Sequence, residues 1–100
     1  MHTIRKRRPT HPGELLREEV LPAAGITATQ LAQRMGVTPH TVTALLQEKR
    51  GVTPDVAHRL ARVFHTTPDL WLTMQQAVDV WDTFAAHKAE YARITPLKVA

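Results

Sequence analysis

No cysteine, serine or asparagine occurs anywhere in the 100 residues. The missing cysteines exclude disulfides, thiol catalysis and thiolate metal sites. Serine is also absent as a nucleophile, and none of the four glycines belongs to a phosphate-cradling loop. No nucleophilic or nucleotide-using site can therefore be assembled from motifs, and a non-enzyme working without cofactor or metal is expected. No apolar run of signal-peptide length follows the basic N-terminus, and none approaches a transmembrane span. The expected setting is the bacterial cytoplasm, with no membrane partner.

What remains is an ordinary soluble composition, 43 % hydrophobic and 22 % charged, in a length that suits one domain. A chain of this size buries roughly 65 % of its unfolded surface and folds without staples. The formal charge of +4 is unevenly placed. Arg5, Lys6, Arg7 and Arg8 supply four positive charges, and the other nine basic residues balance the nine acidic ones. The excess therefore sits on an N-terminal arm, read as extended and flexible over residues 1–10, which could meet phosphate or an acidic protein surface.

Threonine does the capping in this chain. Gly36-Val37-Thr38-Pro39 recurs as Gly51-Val52-Thr53-Pro54, and Thr67-Pro68 makes a third pair. Each pair is a cap followed by a first-turn proline, so three helix starts are predicted. The repeat is punctuation, because the segments between do not resemble one another. Residues 27–50 stand out. Thr27 with Gln30 forms a capping box, Leu31, Ala32 and Met35 share a face, and Gly36 falls where a helix stops in a left-handed turn. Thr38 and Pro39 then open a second helix whose Val42, Leu45 and Leu46 point inward. Two short helices around a glycine turn are the signature of a helix-turn-helix.

The flanks complete an all-α chain of five helices. The first helix starts near Pro12, with His11 or Thr10 at its cap, carries Glu14, Glu18 and Glu19, and ends or kinks at Pro22 and Gly25. A fourth, about 54–64, buries Val56, Ala57, Leu60, Ala61 and Phe64. The fifth runs from Pro68 towards Arg93. Trp71, Met74, Val78, Trp81 and Ala85 follow one helical spacing on it, and Leu70, Ala77, Phe84 and Tyr91 recur every seven. So wide an apolar face predicts a subunit interface at Trp71, Met74, Val78, Trp81 and Phe84. The domain is expected over 11–93, with a tail over 94–100.

In a helix-turn-helix the start of the second helix meets base edges. Here that selects Pro39, His40, Thr41, Thr43 and Gln47; Gln pairs with adenine, and Thr offers a hydroxyl and a methyl. Lys49 and Arg50 suit phosphate, as do the helix N-termini at Thr27, Thr38 and Thr53. The six histidines include no HxxxH pair, and His58 and His65 lie two turns apart, too far to chelate one ion. The acidic pair Asp79 and Asp82 reads as a solvated face.

Several blocks occur in a telling order: His11-Pro12-Gly13-Glu14-Leu15-Leu16-Arg17-Glu18-Glu19, the helix-turn-helix, Arg50-Gly51-Val52-Thr53-Pro54-Asp55-Val56-Ala57, and Pro68-Asp69-Leu70-Trp71-Leu72. Over about residues 9–85 the chain resembles the HigA/VapI-type antitoxins of the Xre, lambda-repressor-like helix-turn-helix superfamily. The resemblance implies a homodimeric repressor of its own operon, bound to a palindromic operator. It also implies a cognate HigB/RelE-like, mRNA-cleaving toxin that the antitoxin silences. The acidic residues Glu14, Glu18 and Glu19 are the candidate toxin-binding surface, since they could face a basic ribonuclease. The alternative is a stand-alone Xre-family repressor, phage-type or metabolic, without a toxin. Members often carry long polar residues where this chain has Pro39 and Ala44, so its base reading leans on His40, Thr41, Thr43, Gln47 and DNA shape.

Overall fold

Proline and threonine set where the helices begin. The computed structural model describes residues 7–98 and has, among them, five helices and no strand. Helix α1 runs from Pro12–Leu15 through a π-helical turn, Leu16–Val20, into Leu21–Ala24. The remaining helices are α2 (Ala28–Met35), α3 (Pro39–Leu46), α4 (Pro54–Phe64) and α5 (Pro68–Ala92). The start of the arm, with Arg5 and Lys6, lies outside the described residues.

The threonine caps form as expected at three of the four helix starts. Thr27 Oγ1 accepts from Gln30 N at 3.1 Å while Gln30 Oε1 accepts from Thr27 N at 2.8 Å, the reciprocal box. Thr38 accepts from Thr41 N and Thr53 from Val56 N. Thr67 opens α5 but makes no side-chain cap bond. Its neighbour Thr66 is the one engaged, accepting from Trp71 Nε1 at 2.8 Å and so satisfying the buried indole.

Pro22 does not end α1. Proline lacks an N–H and its ring strikes the carbonyl four residues back in a regular helix. The preceding turn is instead widened, with Leu21 N donating to Leu16 O. Gly25, at φ 67°, is the true stop.

The core is one cluster built from every helix, centred on Leu16, Leu31, Val42, Leu45, Val56, Leu60 and Trp71. Helix α1 approaches α3 so closely that a Cβ on Gly13 would fall 1.9 Å from the Leu45 carbonyl oxygen. No side chain fits there. Helix α5 leaves the body part-way along: Trp71 and Val78 are buried, whereas residues 82–98 are all exposed. This half accounts for the 55 × 24 × 22 Å extents. It is interrupted at His87, whose backbone (φ −125°, ψ 20°) is not helical, a break that the apolar spacing did not predict. Among the described residues, no helix is long and apolar enough to cross a membrane.

His11 is the cap of α1, its Nδ1 accepting from Gly13 N at 2.9 Å in a buried setting. Burial pushes the imidazole pKa down and outweighs the opposing pull of Glu48, Asp79 and Asp82, while Arg8 adds to the lowering. The folded state thus prefers the neutral ring. The stabilisation from this cap is complete above the unfolded pKa of about 6.5 and is lost as pH falls below it. Denaturant melts from pH 7.5 to 5 should show it as a loss of roughly 1 kcal/mol, the usual value of a cap. His11→Asn keeps a cap acceptor without titrating and should flatten that slope.

Candidate nucleic-acid interface

The turn between α2 and α3 is held from below. Gly36 takes φ 72°, and Val37 N returns to Ala32 O at 3.0 Å, closing the end of α2. Arg59 of α4 donates Nη1 to the Met35 carbonyl at 2.8 Å and to that of Gly36 at 3.4 Å, with Nε on Asp55 at 3.0 Å. Helix α3 buries Val42 and Leu45 completely. Its other side is open: Pro39, His40, Thr43 and Gln47 are exposed, and Thr41 is half-buried.

The threonines are less available than their exposure suggests. Thr43 Oγ1 donates to Pro39 O at 2.9 Å, so it presents a methyl and a remaining acceptor rather than a free donor. Thr38 and Thr41 share one hydrogen bond between their hydroxyls at 3.0 Å. Gln47, at the end of α3, and His40 are the long polar groups left facing outward.

The helix N-termini differ from one another. The box at Thr27 satisfies Thr27 N and Gln30 N, which leaves the Ala28 and Thr29 N–H groups for an anion. At Thr53 the Asp55 carboxylate occupies the first turn and offsets the dipole, so this end attracts phosphate less.

Lys49 and Arg50 follow α3 exposed, with no ion pair among the described residues. Between the helix and these cations stands Glu48 at φ 60°. Its carboxylate meets Arg8 at 3.1 Å and Arg17 at 3.5 Å, and Arg17 also bonds the Leu46 carbonyl. Arg8 further grips Asp82 through Nε at 2.8 Å and Nη2 at 2.9 Å. These contacts raise the Arg8 pKa and hold the Asp82 carboxyl below the usual range. Neither residue is what the sequence suggested: Arg8 is not a free arm cation, and Asp82 is not merely a solvated acid. The one signal available was that α3 had to stop before Gly51 with no Gly or Asn at the stop.

Two further surfaces are formed. An open groove of about 650 Å³ along α5 is lined by Val52, Leu72, Gln76, Val80, Phe84 and Tyr91, among others. Phe84 and Tyr91 stack at 6.0 Å. Trp71 and Val78, expected at a subunit interface, are instead core residues with no surface to offer. Met74 and Trp81 are half-buried and do not line this groove; of the five expected residues only Phe84 does. The sevenfold stripe, not the Trp71 stripe, is the outward one. Met74 lines a smaller hollow of about 350 Å³ with Thr10, Glu14, Leu15, Glu18 and Glu19.

The helix-turn-helix domain family matches residues 5–72. The antitoxin HigA-1 of Vibrio cholerae serotype O1 is 44 % identical over 96 residues, 95 % of this chain and 90 % of that protein. The chain belongs to the HigA-type antitoxins of the helix-turn-helix family. Two solved structures are close in shape. The Pseudomonas aeruginosa antitoxin HigA with the higBA promoter is 36 % identical, with a TM-score of 0.87 over 91 % of this chain and all of that one. The antitoxin GraA in complex with its operator is 39 % identical, with a TM-score of 0.86 over 99 % of this chain and all of its own.

Lys49 and Arg50 are exposed cations that directly follow α3 and take no ion pair among the described residues. The Lys49→Ala, Arg50→Ala variant should lose roughly 10- to 100-fold in affinity for the chain's own promoter at moderate salt. Its plot of log affinity against log salt should be shallower, by about 0.9 for each phosphate that is no longer neutralised. Fluorescence anisotropy across a salt series measures both; unchanged binding would refute this docking.

Proposed function

We propose that the chain is the antitoxin of a type II toxin–antitoxin system. In this reading a homodimer represses its own operon and also silences a RelE/HigB-like, mRNA-cleaving toxin in the bacterial cytoplasm. The observation that carries it is the open face of α3, Pro39 to Gln47, supported by a buried face and followed by two cations that take no ion pair among the described residues. The promoter and operator bound by the two related antitoxins support the same target class for this chain. Thr27, Thr38, Lys49, Arg50 and, more weakly, Thr53 would hold phosphates, while Pro39, His40, Thr41, Thr43 and Gln47 would face bases.

The α5 groove is where a second copy would sit. Val80 is 64 % and Phe84 51 % exposed, an unusual amount of apolar surface on a monomer. A two-fold dimer binds half-sites about one helical turn apart or a multiple of it. Val80→Glu with Phe84→Glu should convert the dimer to a monomer in sedimentation and weaken operator binding at least tenfold, since two half-sites no longer act together. A variant that stays dimeric would move the interface elsewhere.

The acidic outer side of α1 is the proposed toxin surface, because Glu14, Glu18 and Glu19 would meet the basic groove of a ribonuclease. Co-expression with the small basic reading frame next to its gene should yield a stable complex and relieve toxicity. Changing Glu14 and Glu19 to glutamine should weaken capture of that product at least tenfold, with Glu18 left in place because it pairs with Arg17 at 2.9 Å. A gene with no such neighbour would favour the stand-alone repressor.

A further inference from the structure

Four charged side chains behind α3 extend the operator-binding reading, on which this inference rests. Arg8 divides its guanidinium between two elements. Nε and Nη2 take both oxygens of Asp82 on α5, and Nη1 takes Glu48 Oε1 at the end of α3. Arg17 of α1 approaches the other Glu48 oxygen and bonds the Leu46 carbonyl. Glu48 itself sits in the left-handed conformation that α1 and α2 reserve for Gly25 and Gly36. A non-glycine residue there is strained and persists only where its surroundings hold it.

Single ion pairs at half-exposed positions contribute little. A bidentate arginine shared by two carboxylates from different elements is the networked exception. Everything that leaves α3 must pass through Glu48. Lys49 N already returns to Ala44 O at 2.9 Å, so the directions of Lys49 and Arg50 follow from how this turn is set.

We infer that Arg8 is a positioning residue of the DNA interface: with Asp82, Glu48 and Arg17 it locks the left-handed exit of α3 and so aims Lys49 and Arg50. It does not act as a phosphate-contacting cation of the arm. The two roles differ in sign and in salt dependence. Deleting a carboxylate beside a DNA-binding face ordinarily tightens binding, because repulsion is removed. Deleting Glu48 or Asp82 from a positioning cluster weakens it.

The test uses the full chain and the intergenic duplex immediately upstream of its own reading frame, with anisotropy read over a range of salt. Arg8→Gln, Asp82→Asn and Glu48→Gln should each bind roughly five- to tenfold more weakly, and Arg8→Gln with Asp82→Asn no more weakly than Arg8→Gln alone. The salt slope should match that of the wild type in every case. Circular dichroism melts accompany each variant, and Asp82→Asn, on the exposed part of α5, spares the core. Equal or tighter binding by Asp82→Asn and Glu48→Gln overturns the inference, as does a shallower salt slope for Arg8→Gln. A wild type that does not prefer this duplex to unrelated DNA overturns the operator reading itself, and the inference falls with it.

Discussion

An eight-residue helix cannot hold itself together in water. Nucleation is costly, and isolated helices shorter than about 12 residues are marginal. Helix α3 is that short, and the rest of the domain depends on keeping it formed. Val42 and Leu45 are sealed in the core, the Thr38 hydroxyl caps the start, and Arg17 takes the Leu46 carbonyl at the end. Gly13 lets α1 lie against the Leu45 carbonyl itself. Each of these contacts comes from the inner side or from an end, so the outer face stays open. A helix stabilised by its own surface ion pairs would have that face already occupied.

The parts of the fold that were legible are those governed by local rules. Threonine before proline marked the starts of α3, α4 and α5, and glycine marked the stops of α1 and α2, because these depend only on neighbouring backbone. The capping box at Thr27 and Gln30 was readable for the same reason. What escaped was set by tertiary partners. Thr67 opens α5 with no side-chain cap bond, and the Thr66 hydroxyl beside it is taken by the Trp71 indole. The α5 stripes were both visible, yet spacing alone could not say which faced in. Trp71 went inward because α4 supplies Leu60 and Phe64 to meet that side.

The same division applies to the interface. Which side of α3 is outward follows from its buried residues, so the outward positions were accessible to sequence. Which hydroxyls remain free was not, since Thr43 is turned onto its own helix and Thr38 and Thr41 onto each other. The outcome is an outer face with few free donors and a larger share of methyl and ring edges. In the proposed DNA-binding role, such a face would favour contact with thymine methyl groups and recognition of groove shape over dense hydrogen-bond readout.

Charge is arranged in a related way. The composition balances the body and concentrates the excess on the arm, but the root of that arm is committed inward: Arg8 is shared between Asp82 and Glu48. Arg59 and Arg17 are likewise turned to carbonyls at the ends of α2 and α3. Arg17 and Arg59 thus act on helix C-termini, where the negative end of the dipole and orphan carbonyls both favour a cation. The planar guanidinium suits this task, because it can bond a carbonyl and a carboxylate at once. Lys49 and Arg50, by contrast, follow the turn with no acid or carbonyl among the described residues to hold their side chains. Net charge alone therefore overstates what the domain offers to a polyanion; what counts is which cations the fold has left uncommitted, and beside α3 those are Lys49 and Arg50.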